Sequence, residues 1–411
     1  MIIYIFNNYF PDNSGFAKRC KMEIDVLSKM DDIIILCRKN KAKETPFYKS
    51  PFKKIFIERF NNNNRLMERP RAYKHVFYEV SRNIGLIVAI AKKLNAVLSS
   101  IKKIVEINKN IKIYAVSSPL TVPLVVFLIG KMHRVSLEVL EFHDLEPELA
   151  KHIKKIDDKS IVMRIEYFLE KFLCNVYHKT VVTSDSQAKR IINRTKIESN
   201  RMCVIPNTVV NSYLSKSKNK DIRNKYGIEK NDFLIGYVST FYYDYTVLGM
   251  AKVLHCIPKL LPIIPSLKII LVGDGDGLSQ LKQIVNELGL DKNVIFTGKV
   301  KNVSEILKII DVALIPWEKD EMTLTILPIK LFEYMKAKKP VVGPNFGEIK
   351  SAIEAGKFGI LYDSMNDLIN KIIVLNKSRK LRSDLGNAAY RVYKTKYKNG
   401  DYSKKLTNFL N

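Results

Sequence analysis

The sequence predicts an α/β protein of two Rossmann-like domains, each a parallel sheet covered by helices on both faces. Three observations carry this. The chain has 411 residues, too long for one ordinary domain and suited to two. Short apolar runs alternate with longer amphipathic stretches, the rhythm of strand–helix–strand units. That rhythm stops near the middle and starts again, so two separate sheets are expected.

In the first half, Ile2–Phe6, Ile33–Cys37, Ile111–Val116, Leu137–Phe142 and Thr180–Thr183 read as buried strands. The opening run Met1 to Phe6 is apolar at once, with no basic leader, and breaks at Asn7-Asn8. It predicts a first strand and no secretory signal. In the second half the expected strands are Phe233–Val238, Leu267–Val272, Val294–Phe296, Val312–Ile315, Pro340–Val342 and Gly359–Tyr362. The join is expected after Val204-Ile205-Pro206-Asn207, in the polar stretch Ser212–Asn231, which gives domains 1–211 and 212–390. Asn61–Asn64 reads as an exposed loop, and no tandem repeat is visible.

Hydrophobic residues make up 46% of the chain, enough for two cores, which excludes wholesale disorder. The longest apolar run, Leu120 to Gly130, is about half of the roughly 20 residues of a membrane-spanning helix. A cytoplasmic protein, soluble or held peripherally at the inner membrane face, is expected. Cysteines 20, 37, 174, 203 and 256 form no Cys-x-x-Cys pair and no zinc spacing. No metal is expected, and an odd set of isolated thiols fits a reducing compartment. The formal charge of +28 points to polyanions, phosphate-bearing substrates or acidic lipid. Neither a helix-turn-helix, a zinc finger nor an aromatic-basic RNA motif accompanies it, so nucleic acid is not an expected partner.

The strongest chemical signal is Leu327-Pro328-Ile329-Lys330-Leu331-Phe332-Glu333-Tyr334-Met335, running into Lys339-Pro340-Val341-Val342. Proline suits the first helical position, so a helix is expected to start near Pro328, just after a strand. Such a helix end binds anions. Lys330 then sits in the first turn, where the macrodipole disfavours a cation unless an anion lies beside it. Glu333, one turn on, shares its face and can accept two ribose hydroxyls. The alternative is a surface Lys–Glu pair on an ordinary helix.

This stretch resembles the donor-binding helix of retaining glycosyltransferases of the family-four type. The resemblance implies the GT-B fold, in which the two domains face a central cleft and a terminal helix, here 391–411, crosses back onto the first domain. It implies that Glu333 holds the ribose, and that phosphate charge falls to the Pro328 helix end and Lys330. Where many members hold the donor sugar with a glutamate, this chain has Thr325. Ile269 to Gly275, with its Gly273-Asp274-Gly275, and Phe296-Thr297-Gly298-Lys299-Val300 are similar to the family's next two strand ends. They imply donor contacts at Gly273, Lys299 and Val300, the glycines letting backbone approach the ligand. Thr240 falls where many members carry a phosphate-binding arginine, just after the strand Gly236–Val238. In the first domain, Phe142-His143-Asp144 resembles the strand end that touches the donor sugar next to the reacting carbon. Asn13-Ser14-Gly15 resembles the glycine loop near the acceptor, implying Ser14 and Gly15 there. The alternative for His143 and Asp144 is strand and helix capping. Val204 to Thr208 resembles the hinge, with Thr208 replacing glycine.

The activity implied is transfer of a sugar with retention. The donor is a UDP- or GDP-type nucleotide sugar, and the acceptor a glycan or polyprenyl-linked molecule in cell-surface polysaccharide synthesis. No cofactor is implied. The alternative in the same fold is a nucleotide-sugar epimerase, which needs no acceptor.

Segment 38–110 carries 18 basic and 5 acidic residues. Arg38, Lys39, Lys53, Lys54, Arg69 and Arg71 fall in loop-like sequence, and the segment is expected to meet an anionic membrane surface. Within it, apolar residues at 87, 90, 94, 97, 98, 101, 104 and 105 predict one face of a helix. That face either packs on the core or joins the membrane surface.

Overall fold

The structure is a computed structural model that describes residues 1–9, 15–38, 55–60, 88, 90–96, 98–99, 111–117, 119–154, 156–209, 222–241, 244–300 and 302–411. The chain divides into two compact units, Met1–Ile205 with Ser403–Asn411, and Pro206–Tyr402.

The first unit runs β1 (Ile2–Tyr9), α1 (Gly15–Met30), β2 (Ile33–Arg38), β3 (Ile55–Phe60), β4 (Lys112–Val116), α2 (Thr121–His133), β5 (Ser136–Phe142), α3 (Glu146–Lys154), α4 (Ile161–Val176), β6 (Lys179–Val182), α5 (Asp185–Thr195) and β7 (Met202–Val204). Its sheet has the order β3-β2-β1-β4-β5-β6-β7, and every pairing is parallel. The two edge strands differ from the sequence reading. β3 pairs with β2 from Ile33↔Ile55 to Arg38↔Phe60, inside the stretch read as loop. β7 pairs with β6 from Thr180↔Met202 to Val182↔Val204, just before the expected hinge Val204–Thr208. An edge strand needs only one partner and can be short and partly polar: β3 is interrupted by Glu58 and Arg59, and β7 has only three residues. The core of this unit joins Ile3, Ile5, Ile113, Ala115, Leu140 and Phe142 of the sheet to the helices.

Residues 90–96 are helical. Ile90, Leu94 and Leu98 are buried in that same core, while Lys92 is exposed. The described part of the apolar stripe is therefore packed on the core, the first of the two readings. The rest of segment 38–110, apart from Arg38 and β3, lies outside the described residues.

The second unit runs α6 (Ile222–Lys225), β8 (Phe233–Val238), α7 (Asp244–Leu260), β9 (Leu267–Val272), α8 (Leu278–Glu287), β10 (Val294–Phe296), α9 (Val303–Ile309), β11 (Val312–Leu314), α10 (Ile329–Lys336), β12 (Val341–Pro344), α11 (Gly347–Gly356), β13 (Gly359–Tyr362), α12 (Met365–Lys377) and α13 (Arg379–Lys396). The strand order is β10-β9-β8-β11-β12-β13, again with all pairings parallel. The order reverses between β8 and β11, the switch point at which open α/β sheets bind ligands. One core packs α7, α8 and α12 on one sheet face. A second packs α9, α10, α11 and α13 on the other.

The last helix, α14, spans Asn399–Leu410, and its residues from Ser403 belong to the first unit. Lys179 fixes its end by donating to the carbonyls of Phe409 at 2.6 Å and Leu410 at 3.1 Å, a cation on the carbonyl-rich helix terminus. Thr208, where a glycine hinge was the family pattern, donates its hydroxyl to the Tyr397 carbonyl. No helix among the described residues is long and apolar enough to cross a membrane.

Candidate functional site

In the second unit the site begins at α10. The helix starts at Ile329, and Pro328 is its N-cap with extended backbone, φ −74° and ψ 144°. Proline thus stands one position earlier than expected, and its carbonyl accepts the Leu331 N–H at 3.0 Å. The amides of Ile329 and Lys330, the first two positions, have no partner within the helix and can face a ligand. The Val238 N–H donates to the Tyr334 hydroxyl at 2.9 Å, which pins α10 to the end of β8.

Lys330 reaches across the switch point. Its Nζ donates to Ser239 Oγ at 3.0 Å and to Tyr237 Oη at 3.4 Å. It lies 4.5 Å from the Tyr237 ring centre and 5.5 Å from that of Trp317. Burial pushes its ammonium down to about 7, against the pull of Glu333. A cation held among hydroxyls and aromatic rings on a helix first turn is underpaid in negative charge, and a phosphate supplies what is lacking. Tyr237, Ser239 and Trp317 were not picked out as site residues from sequence. A signal existed: Tyr237 and Ser239 are two apart, so they share a face of β8 and its extension, and Trp317 is the sole tryptophan of the chain.

The glycine turn after β9 has a different cause from the one expected. A Cβ on Gly273, whose φ is +137°, would stand 1.7 Å from the Ser239 carbonyl oxygen. The glycine is required by the approach of the β8 turn itself, without appeal to a ligand. The turns interlock: Ser239 N–H donates to Val272 O at 2.9 Å, Phe241 N–H to Asp274 O at 3.0 Å and Gly273 N–H to Gly298 O at 3.1 Å. So Lys330, Ser239, Gly273 and Gly298 form one connected rim over the carboxyl ends of β8, β9 and β10. Thr240 and Lys299 are exposed on it, and Val300 is half-buried. Glu333 is half-buried one turn beyond Lys330. Thr325 is buried, and its hydroxyl donates to the Met322 carbonyl at 3.0 Å within its own loop.

A pocket of about 380 Å³ opens beyond Trp317, lined among others by Asn345, Phe346, Tyr362, Asp363 and Met365. The Tyr362 hydroxyl and Asn345 Oδ1 are buried there without a hydrogen-bond partner among the described residues.

In the first unit, His143 and Asp144 follow β5, as expected. The His143 carbonyl accepts from Gln187 Nε2 at 3.0 Å and from Thr183 Oγ1 at 3.3 Å. Its Nε2 lies 3.3 Å from Glu141 Oε1. Behind it is a buried network that sequence reasoning missed. Arg19 Nε donates to Glu141 Oε1 at 2.6 Å and lies 2.9 Å from Glu23 Oε1. Its Nη1 donates to the Ile205 carbonyl at 2.9 Å. Tyr114 donates to Glu141 Oε2 at 2.7 Å, and Tyr4 donates to Glu23 Oε2. One guanidinium cannot neutralise two dry carboxylates. Glu141, facing Arg19 and His143, is held below its ordinary range despite burial, whereas burial and Glu141 drive Glu23 well above. Burial likewise raises Asp144, against the pull of His143. The signal in sequence was Glu141 itself, a carboxylate inside an apolar strand.

Cys20, Glu23 and His143 bring a thiol, a carboxylate and an imidazole within 4.8 Å of one another, ligand types that suit zinc. Both Glu23 oxygens are engaged by Arg19 and Tyr4, and burial holds the Cys20 thiol well above its ordinary value. The trio is read as part of the ion-pair network. Gly15 opens α1. Ser14 lies outside the described residues.

Known proteins share this architecture over the whole chain. HepE of Anabaena, solved in complex with UDP-glucose, matches 100% of this chain and 98% of its own, with a TM-score of 0.69 and 17% identity. Sucrose-phosphate synthase of Thermosynechococcus elongatus matches 99% of this chain and 97% of its own, with a TM-score of 0.75 and 15% identity. At such identities the likeness defines the fold, which is that of GT-B glycosyltransferases. Residues 218–392, within the second unit, match the family described as Glycosyl transferases group 1. The Lys330 rim lies within those residues. Among curated relatives, N-acetyl-alpha-D-glucosaminyl L-malate synthase of Bacillus anthracis is 28% identical over 170 residues, 41% of this chain and 42% of the relative. Trehalose synthase of Thermococcus litoralis is 24% identical over 235 residues, 55% of this chain and 54% of the relative. The chain thus spans about half the length, or less, of these curated relatives.

Proposed function

We propose that this protein is a retaining glycosyltransferase that uses a nucleotide-sugar donor, with a glycan or polyprenyl-linked acceptor. The observation that carries the reading is Lys330 on the first turn of α10, 3.0 Å from Ser239 Oγ at the switch point. Glu333 follows one turn later. A diphosphate set against that helix end meets free amides, the Lys330 ammonium and the Ser239 hydroxyl. Glu333 is then placed one turn along for a ribose. That HepE of Anabaena was solved with UDP-glucose favours a UDP-type donor.

In this reading the glycosidic carbon–phosphate bond loosens and the nucleoside diphosphate leaves with the bonding electron pair. The acceptor hydroxyl attacks from the same face, and its proton passes to the leaving phosphate. The main demand is stabilisation of charge growing on that phosphate. Lys330 and the α10 amides meet it. To His143 and Asp144 we assign contact with the donor sugar, with Glu141 keeping the imidazole oriented. The Lys299–Val300 turn is assigned to the base, and Thr240 to the phosphates. A role at the inner membrane face in cell-surface polysaccharide synthesis belongs to the same proposal.

The test is Glu333→Gln. A charge-assisted hydrogen bond is worth about 1.5–3 kcal/mol, so donor affinity should fall roughly tenfold to a hundredfold with folding intact. Near-native donor affinity would remove Glu333 from the site. Donors are found by thermal protection with UDP-, GDP- and CMP-sugars, and each hit is run with and without acceptor. Conversion of donor alone into a new nucleotide sugar would replace transfer with epimerisation.

A further inference from the structure

We infer that α2 and α4 of the first unit form a docking ridge for an anionic lipid bilayer. Large apolar side chains stand in water on both helices. Leu128 and Met132 of α2 are 54% and 73% exposed, and Ile161, Ile165 and Phe168 of α4 are 73%, 52% and 65% exposed. They recur at i, i+4 and i+7, so each helix buries one apolar stripe in the core and shows a second to solvent. A surface helix ordinarily has one.

The two outer stripes are neighbours. Phe127 of α2 meets Phe172 of α4 edge-on at 5.0 Å, while Tyr177, just past α4, donates to the Pro123 carbonyl at 3.0 Å. As numbering rises on one helix it falls on the other, so the helices run antiparallel. That register sets Leu128 and Met132 opposite the turn holding Phe168. Phe168 stacks on Phe172 at 6.3 Å, which links the aromatic side chains into one ridge. Scattered apolar residues need no explanation, but a contiguous patch marks a binding surface.

The charges settle its partner. The exposed charged residues on these helices and the α2 cap are Lys131, Arg134, Arg164 and Lys171; before α4, Asp157 and Asp158 are exposed beside Lys159, and Asp158 pairs with Lys151 at 2.7 Å, so the basic residues prevail. The two acids of α4 are drawn inward. Glu170 is buried and bidentate with Arg194 at 2.8 Å, and Glu166 is half-buried. An identical chain would bring the same basic rim against itself, in a protein of net charge +28. A bilayer with acidic headgroups matches both halves of the ridge, taking apolar side chains into its boundary and pairing the basic ones with phosphate.

The experiment uses the full chain and sedimentation with phosphatidylcholine vesicles, with and without phosphatidylglycerol. No donor or acceptor is present, so the outcome is independent of the transferase reading. Wild type should bind the acidic vesicles and lose them as salt rises. Ile165→Ser with Phe168→Ser, and separately Lys131→Ala with Arg164→Ala, should each weaken binding about tenfold. Leu248→Ser, at an exposed apolar site on the second unit, should bind as wild type. These side chains are exposed, and circular dichroism checks that each variant is folded. Three results would overturn the inference: no binding by wild type, ridge variants that bind like wild type, as they would if segment 38–110 alone held the bilayer, or ridge variants that change only the sedimenting mass of a dimer.

Discussion

The Lys330 ammonium donates to the Ser239 hydroxyl at 3.0 Å, tying the helix after β11 to the turn after β8 across the switch point of the sheet. The bond matters because this cation has poor company. Burial leaves its ammonium at about 7, and only Glu333 pulls it upward. At pH 8 most copies are neutral, and a diphosphate placed beside the group restores its charge. Nucleoside diphosphate binding at pH 8 should therefore take up close to one proton. Affinity should fall about tenfold per pH unit above 7, until the pKa of the bound form is reached. Calorimetry in two buffers of different ionisation enthalpy reads the proton directly. Equal uptake in Lys330→Met would show that the proton goes elsewhere. The stability term has its own sign. The native value lies below the unfolded 10.5, so this group makes the fold more stable as pH climbs from about 7 to 10.5 and contributes a constant cost below.

Gly273→Ala tests the interlocked turns. Its Cβ would lie 1.7 Å from the Ser239 carbonyl at φ +137°, whereas Gly298, at φ +64°, has open space around the same position. Gly298→Ala should cost about 1 kcal/mol, the left-handed penalty alone. Gly273→Ala should cost about 2–4 kcal/mol and carry the Lys330 contact with it, since Ser239 must move. Urea unfolding compares the two. Equal costs would mean that the β8 turn yields without effort.

What the sequence disclosed follows from how each feature is encoded. Central strands such as β1, β8 and β9 are buried on both faces and read as continuous apolar runs. The edges β3 and β7 answer to one neighbour each and stayed hidden. On the candidate site, Lys330 and Glu333 were legible because a cation on a helix first turn is locally odd. Tyr237, Ser239 and Trp317 became visible only through the fold, since their significance lies in facing Lys330 from other elements. The Arg19–Glu23–Glu141 network was equally hidden. Its members are 4 and 122 residues from Arg19 along the chain, and nothing local announces that they share one charge balance.

That balance can be measured. Burial and Glu141 drive Glu23 well above the ordinary carboxylate range, while Arg19 and His143 hold Glu141 below it despite burial, so Glu23 takes up a proton before Glu141 does. Glu23→Gln imitates the protonated acid and should change stability by under about 1 kcal/mol. Glu141→Gln takes one carboxylate from Arg19, which then depends on Glu23 at 2.9 Å, and should cost up to about 3–5 kcal/mol. The signs with pH are opposite. The Glu141 contribution is full above its unfolded value and is lost as acid is added. The Glu23 term weakens the fold as pH rises from its unfolded value toward its raised native one. Comparing both variants in urea between pH 4 and 8 separates them, and equal losses throughout would refute that order of protonation.

Tyr362 offers the last test, because a hydroxyl buried without a partner is costly unless something arrives to use it. The residue is 5% exposed and lines the 380 Å³ pocket beyond Trp317, and its hydroxyl is buried without a partner among the described residues. An unsatisfied buried hydroxyl costs about 1–3 kcal/mol. Tyr362→Phe removes that cost and keeps the ring, so the free protein should become more stable by about 1 kcal/mol, a rise of a few degrees in Tm. The walls join aromatic faces to polar groups, the combination that receives a sugar ring with one apolar face and several hydroxyls. If the pocket serves the substrate sugar, the stabilised variant should lose the bond that Tyr362 makes on binding, and KM for the sugar-bearing substrate should rise roughly tenfold, equivalent to about 1.4 kcal/mol. Thermal melting and steady-state kinetics on the same preparation give both numbers. A variant that is more stable with unchanged KM would mark the hydroxyl as unused. A variant that is less stable would show that the hydroxyl already has a partner in the free protein, and the pocket would lose its claim on the sugar.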